Sequence, residues 1–331
     1  MSDPRTSSLN RRHFLQSGGA VALASVLADG SPAAELPAHA PAVGIQLYTM
    51  QTQLVRDFRG TLAALGRMGY QQVETVGLLG HRAREFRQTL DAAGLSAPSA
   101  HIESKRAQEY FVAMATGSMS VDAAWAKINE AMSLDHIEPI LADMFAESDV
   151  LGNEYLVLAA LDSRLFESSA GIDQVIAAFT KAGDLCHQKG LKFAFHPHLE
   201  EFKRLDGVSG VERVLDATDP SKVLVELDFF WAALANVDVP RLLARYSGRF
   251  HLGHIKDLAK GVVVPPAGFK DLNAVPASAF EDVGYGQLDY RTWIPLARNA
   301  GMRYFFVERD SAPNPLENAR RSLPNVKSLL S

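Results

Sequence analysis

Seven polar side chains close short, apolar, β-rich runs in the second half of the chain: His196 and His198 in FAFHPH, Glu226 and Asp228 in VLVELD, His254 and Lys256 in FHLGHIKD, and Glu308 in YFFVERD. Imidazoles and carboxylates gathered at the carboxyl ends of parallel strands are what a divalent-metal site in a barrel enzyme requires. Residues two apart share a strand face, so His196 points with His198, Glu226 with Asp228 and His254 with Lys256. An ionised carboxylate on the packed inner face of a barrel is costly unless it is paired or bound to metal. Taken singly, each residue also reads as half of a structural ion pair or as a polar group turned out into a loop. One bound ion explains all four strand ends together. His251 has the opposite parity to His254 and is expected to point toward the helices. Glu74 and His101 close two earlier strands, where a pocket-lining and a structural role suit them equally.

The elements that must hold these groups alternate. VGIQLY (43–48), YQQVETV (70–76), SAPSAHI (96–102), EYLVLAAL (154–161), LKFAFH (191–196), KVLVELD (222–228), RFHLGHI (249–255) and MRYFFVE (302–308) read as eight strands. Amphipathic or helical stretches at 57–68, 82–93, 172–189, 209–217, 238–246 and 290–299 separate them, with Gly94 and Gly190 as stops. Strands alternating with helices make βαβ units and a parallel sheet. Eight of them predict a single (β/α)8 TIM barrel over residues 41–331. No Gly-x-Gly-x-x-Gly turn follows the first strand, which argues against a dinucleotide-binding domain. Two connections are long. Residues 103–150, after strand three, carry a helix around 121–133 and another to 149. Residues 257–289, after strand seven, carry Pro265-Pro266 and Gly284-Tyr285-Gly286. Insertions after barrel strands sit on the catalytic face, so both are candidate walls or lids of a pocket.

Composition narrows the class. With 47% apolar and 21% charged residues, the 331-residue chain has the profile of a soluble globular protein. The net charge of −5 offers no basic patch for nucleic acid. The single cysteine, Cys186, excludes an internal disulfide framework and falls on the apolar stripe of the 172–189 helix, a packing position. At the amino terminus, Arg11-Arg12-His13-Phe14-Leu15 precedes a mild apolar run to Ala28 and a Pro/Ala-rich stretch to Pro41. That order of charged, apolar and small residues reads as an export signal over residues 1–40, too short and too mild for a stable membrane anchor. The arginine pair suggests the twin-arginine machinery as a partner and the periplasm as the destination.

Taken together, VGIQLYTM, GYQQVETVG, SAHIE, HPHLEEF, VELDFFW, GHIKD, GYGQLDY and FVERD, in that order, resemble the sugar phosphate isomerase/epimerase family with its xylose isomerase-like TIM barrel. The likeness runs from about residue 42 to 330 and is nearest to an exported branch with His-Asn-His-x-x-Glu-Phe after strand five. It implies a divalent ion (Mn, Zn, Mg or Co) held by His196, Asp228, His254 and Glu308, with Glu201 facing a sugar. The family commonly has Glu at the strand-five ligand position and His three residues after the strand-six Asp; this chain has His196 and Trp231. Those departures turn the expected chemistry from a two-carboxylate exchange toward metal-assisted proton abstraction beside a carbonyl.

The resulting expectation is an exported, metal-dependent isomerase or epimerase acting on a keto-sugar or sugar derivative through a metal-stabilised enediolate. Glu308 or His196 is the candidate base, and Glu201 or His198 the partner acid. Lys256 contacts an oxyanion or makes an ion pair with Asp257 or another neighbour. His101, Glu201, Trp231 and Lys256 are candidate substrate contacts, Trp231 as a stacking face or as plain packing. Loss of a β-substituent would instead make a 3-keto-glycoside lyase or hydratase. A non-catalytic sugar-binding barrel is the third reading, and the oligomeric state is left open. The acidic charge and the export signal disfavour an endonuclease on the same barrel. A sugar phosphate suits the periplasm poorly, so a free or glycosidic sugar is expected.

Overall fold

A computed structural model describes residues 42–331. Arg11, Arg12 and the expected export signal lie outside the described residues. Eight parallel strands close into a barrel: β1 (Val43–Gln46), β2 (Gln72–Val76), β3 (Ser96–His101), β4 (Tyr155–Leu158), β5 (Lys192–Phe195), β6 (Val223–Asp228), β7 (Phe250–Ile255) and β8 (Tyr304–Val307). Each strand pairs with its neighbours in sequence, and β1 closes on β8 with Val43 opposite Phe305. The (β/α)8 barrel expected from the alternation is therefore the fold.

The helices of seven or more residues are α1 (Phe58–Met68), α2 (Ala83–Ala93), α3 (Lys105–Ala115), α4 (Val121–Ala131), α5 (Ile137–Leu151), α6 (Ser169–Gln188), α7 (Gly210–Ala217), α8 (Val239–Arg245), α9 (Tyr290–Asn299) and α10 (Pro315–Leu330). Local sequence explains several of their ends. Asp57 accepts from the Gly60 amide at the start of α1, and Ser209 with Glu212 forms a reciprocal capping box on α7. Among the described residues, no helix is long and apolar enough to cross a membrane.

One expectation needs correction, and two long connections gain detail. The strand expected over 43–48 stops at Gln46, because the Gln46 side chain accepts from the Tyr48 amide and turns the chain into the 3-10 segment Leu47–Met50. The insertion after β3 holds a third helix besides the two expected. The extra one, α3, begins where the Ser104 hydroxyl accepts from Ala107 N and buries Ala107 and Phe111, one turn apart. The long connection after β7 includes a small antiparallel ribbon, Asp257–Leu258 with Phe280–Glu281. Its Gly284-Tyr285-Gly286 turn wraps the Asp257 carboxylate, which accepts from the amides of Leu258, Gly284, Gly286 and Leu288. A Cβ at Gly286 would collide with that carboxylate, so only glycine lets the backbone come so close.

Apolar burial occurs in two places. Strands and helices enclose one large core, including Leu62, Phe86, Leu141, Phe179 and Val214. A second cluster of Tyr155, Val157, Ala194, Leu224, Leu252 and Phe306 fills the barrel's interior and forms a floor. Gly44 makes room for Phe306 there, because a Cβ would meet its ring. The polar groups stand above that floor.

Candidate metal centre

Strand periodicity raises the site from the floor. Leu224, Glu226 and Asp228 alternate inward on β6, as do Leu252 and His254 on β7 with Lys256 just past its end, and Phe306 on β8 with Glu308 just past its end. Each inward step of two residues climbs about 7 Å along the strand. The first member of each series belongs to the apolar cluster and the next is ionisable.

Asp228 shows how local structure aims a ligand. It ends β6 and caps the short helix Phe229–Leu234: Oδ1 accepts from Phe230 N at 2.9 Å and Trp231 N at 3.1 Å. That fixes Oδ2 toward the interior, 3.0 Å from Lys256 Nζ, 3.6 Å from His196 Nε2 and 3.9 Å from His254 Nδ1. His254 Nδ1 lies 2.7 Å from Glu308 Oε2, which is itself 2.9 Å from Lys256 Nζ. Asp228, His254 and Glu308 thus offer one ligand atom each within 4.8 Å of one another. His196 flanks this group through Asp228 and also joins a second group with His101, Glu226 and His254. The structure therefore brings the four predicted ligands together, with His196 shared between two layers.

The donor set fits a divalent cation. Ligands of one ion at 2.0–2.2 Å stand roughly 3–3.6 Å apart. Asp228 Oδ2 and His254 Nδ1 are buried yet have no hydrogen-bond partner among the described residues, although charged atoms crowd round them. Atoms that approach closely without hydrogen bonding are aimed at a common point. Charge agrees: Asp228, Glu308 and Asp310 pair with the buried ammonium of Lys256, while Glu74 and Glu226 below them contact only histidines among the described charged groups. The four buried carboxylates, Glu74, Glu226, Asp228 and Glu308, exceed that one ammonium by three negative charges when the imidazoles are neutral, and burial makes them expensive.

The titrating groups respond to one another. Burial pushes the Glu74 carboxyl up, but His101 and His254 outweigh it and hold the group well below the carboxylate range. Burial also opposes charge on His254, yet Glu226, Glu308 and Glu74 raise its pKa well above the usual value. His196 goes the other way, pushed down by burial and by the neighbouring His254 and His198. For Lys256 the surrounding Asp228, Asp310 and Glu308 overcome burial and keep the ammonium charged.

Several expectations meet their surroundings here. Lys256 makes its ion pairs with Asp228, Glu308 and Asp310; Asp257 is not its partner, because the Gly284–Leu288 turn has taken that carboxylate. Trp231 packs with Phe230, Phe280 and Leu199, and Lys256 Nζ stands 5.2 Å from its ring centroid. The His198 ring lies 4.7 Å from that of His196 and 5.7 Å from that of Trp231. Burial presses the His198 pKa down to about 3. Glu201 is buried in the turn after β5, where its Oε2 accepts from His198 N, and burial raises its pKa to about 7. His251 stays apart, its Nδ1 3.1 Å from the Tyr155 hydroxyl near the floor.

Sequence reasoning marked Glu226 and Glu74 at strand ends but gave neither a role in the site. Glu226 lies 3.0 Å from His196 Nδ1 and 3.1 Å from His254 Nε2, and Glu74 lies 2.6 Å from His254 Nε2. Shared parity with Asp228 put Glu226 on the inner face, but spacing along the chain did not disclose which histidines it meets. Glu74 had only its place at a strand end.

Residues 62–329 match the xylose isomerase-like TIM barrel family. Inosose dehydratase from Geobacillus thermodenitrificans (strain NG80-2) is 27% identical over 161 residues, which cover 47% of this chain and 53% of that protein. The chain spans about half the length of the curated relatives it matches. A sugar phosphate isomerase/epimerase structure from Parabacteroides distasonis ATCC 8503 superposes with a TM-score of 0.68 at 20% identity, covering 88% of this chain and 100% of that one. The IolI protein with a bound zinc atom superposes at a TM-score of 0.61 and 12% identity, covering 88% of this chain and 98% of that one. At these identities the structural likeness is one of fold.

Proposed function

The chain belongs to the xylose isomerase-like TIM barrel family, and from that premise we propose that it is a divalent-metal-dependent enzyme that removes a proton beside the carbonyl of a keto-sugar or sugar derivative. The observation that carries this reading is the convergence of Asp228, His254 and Glu308, flanked by His196, on the inner face of the barrel. An ion held there (Mn, Zn, Mg or Co) supplies positive charge against a carbonyl oxygen and so acidifies the neighbouring C–H.

The chain's own groups divide the remaining work. Lys256 keeps its ammonium between Asp228 and Glu308, placed to receive negative charge on a substrate oxygen. Glu308 is held ionised by Lys256 and His254 despite burial, which suits a ligand better than a base. Glu201, with its pKa raised to about 7, is matched to holding or releasing a proton near neutrality. Its Oε2 is tied to the His198 amide, which leaves Oε1 for that exchange. Trp231 and the His198 ring supply an apolar wall. His101 stands lower, in contact with Glu74 and Glu226, and orients groups rather than touching sugar.

Returning the proton gives isomerisation or epimerisation. Expelling a β-substituent gives a lyase or dehydratase. The second outcome is supported by the likeness to inosose dehydratases and by His196 at a position where the family commonly has Glu. Incubation with Mn²⁺ and a panel of keto-sugars and 3-keto-glycosides in D₂O, followed by NMR, separates the readings. Deuterium on the product carbon marks proton abstraction, and an unsaturated or dehydrated product marks the lyase. Sugar binding that persists without metal and without turnover would leave only a binding barrel.

Export remains part of the proposal. Replacing Arg11 and Arg12 by Lys should leave an active enzyme in the cytoplasm, because the pair is read by a receptor rather than used in folding. Normal arrival of the Lys-Lys variant in the periplasm would refute the twin-arginine reading.

A further inference from the structure

His196 and His254 each turn one ring nitrogen up toward Asp228 and Glu308 and the other down toward a lower pair of carboxylates, but with opposite atoms. In His254 the lower atom is Nε2, 2.6 Å from Glu74 Oε2 and 3.1 Å from Glu226 Oε2. Its upper atom, Nδ1, lies 2.7 Å from Glu308 Oε2 without a hydrogen bond. In His196 the lower atom is Nδ1, 3.0 Å from Glu226 Oε2, and the upper is Nε2, 3.6 Å from Asp228 Oδ2. An ionised carboxylate only accepts, so a ring nitrogen hydrogen-bonded to one carries the hydrogen, and in a neutral ring the other nitrogen keeps its lone pair.

We infer that Glu74 and Glu226 are positioning residues: with a divalent cation in place of a proton at the upper nitrogens, they hold His254 as the Nε2–H tautomer and His196 as the Nδ1–H tautomer, so that both remaining lone pairs meet at Asp228 and Glu308. The inference rests on the metal-dependent reading above and gives the lower carboxylates their task in it. Glu74 is itself held rigidly: Gln46 Nε2 donates to its Oε2 at 2.7 Å and the Ser99 hydroxyl donates to its Oε1. Glu226 gathers the ring nitrogens of His101, His196 and His254 around one oxygen. A carboxylate ligand offers either oxygen to an ion, whereas an imidazole offers only the nitrogen that its far-side partner leaves free. A histidine ligand at position 196 therefore calls for a fixed acceptor beneath it, and Glu226 stands there, two residues before Asp228.

The test uses the full chain loaded with Zn²⁺, which is diamagnetic, with ¹⁵N-labelled histidine and long-range ¹H–¹⁵N NMR. The expected spectrum shows the hydrogen on Nε2 of His254 and on Nδ1 of His196. Glu74→Gln and Glu226→Gln keep an acceptor but lose the charge, and each should weaken Zn²⁺ binding about 10- to 100-fold in competition with a chromophoric chelator. A purely structural role would lower stability and leave both the ring spectra and the Zn²⁺ affinity in place. Opposite tautomers in the unaltered protein, or Zn²⁺ affinities within twofold in both variants, would overturn the inference while leaving the metal centre intact. A protein that takes up no divalent ion would overturn both readings together. Should the Gln variants fail to fold, the spectrum of the unaltered protein decides alone.

Discussion

The barrel floor and the layer above it are built from the same strands, and β7 supplies a histidine near each. His251, beside Tyr155 at the lower end, has its pKa pushed down to about 4 by burial, with Lys192 and Arg303 nearby. His254, three residues on, is more deeply buried, yet Glu226, Glu308 and Glu74 raise its pKa well above the usual value. Burial opposes charge in both rings. The neighbours decide the outcome: among the described residues no carboxylate pairs with His251, while three converge on His254. The floor thus excludes charge and holds the strands together, whereas the upper layer concentrates charge that only cations or protons can balance.

Deleting a floor side chain is the strongest way to break this division of labour. Phe306 is fully buried under His254, and Phe306→Ala should cost about 3–5 kcal/mol in chemical denaturation. Zn²⁺ affinity of the folded fraction should stay near the parent value, because the ligand atoms lie one inward step higher. A large loss of affinity with little loss of stability would mean that the floor and the upper layer are not separable.

The upper layer should fail in the opposite sense. Asp228→Asn keeps the cap on Phe230 and Trp231 but removes charge from Oδ2. Bound metal should fall, and turnover should drop more than a hundredfold, at least about 3 kcal/mol of transition-state stabilisation. Full turnover by a metal-depleted Asp228→Asn would end the metal-dependent reading and leave the barrel standing. Glu201→Gln should retain metal and slow turnover about a hundredfold, the general-acid contribution alone. Loss of metal from that variant would place Glu201 among the ligands instead.

The sequence made the vertical order of each strand legible but not the horizontal contacts between strands. Strand ends and parity marked seven polar residues, and the family resemblance picked His196, Asp228, His254 and Glu308 out of them as ligands. Which inward residues share a level depends on strand stagger around the closed barrel, and the pairing slips between Val225 and Glu226. Glu226 therefore meets His101 and His196 in a way that no spacing along the chain discloses. Glu74 was obscure for the same reason, since its partner His254 lies 180 positions away. The α3 helix is a different case. Its Ser104 cap and the Ala107–Phe111 spacing were present in the sequence, but the short apolar face was hidden in a long polar insertion. Asp257 beside Lys256 suggested an ion pair by proximity in sequence, and the glycine turn from Gly284 to Gly286 claimed that carboxylate from a distance.

The smallest expected effect sharpens the contrast between the two histidines of β7. A buried histidine with a pKa of about 4 in the folded protein and about 6.5 when unfolded binds fewer protons folded than unfolded anywhere between those values. Stability therefore rises with pH across that window: His251's contribution is complete above about 6.5 and is lost as pH falls toward 4. His251 is partly exposed, so solvent screening discounts the effect to about 1–2 kcal/mol. His251→Gln retains a partner for the Tyr155 hydroxyl and cannot titrate, so its stability should decline less steeply on acidification over the same range. Denaturation midpoints of the two proteins, measured side by side from pH 7 to pH 4.5, would show the gap between them narrowing as the pH falls. Parallel curves would mean that His251 titrates normally in the folded protein, and that the lower end of the barrel admits charge as readily as the layer above it.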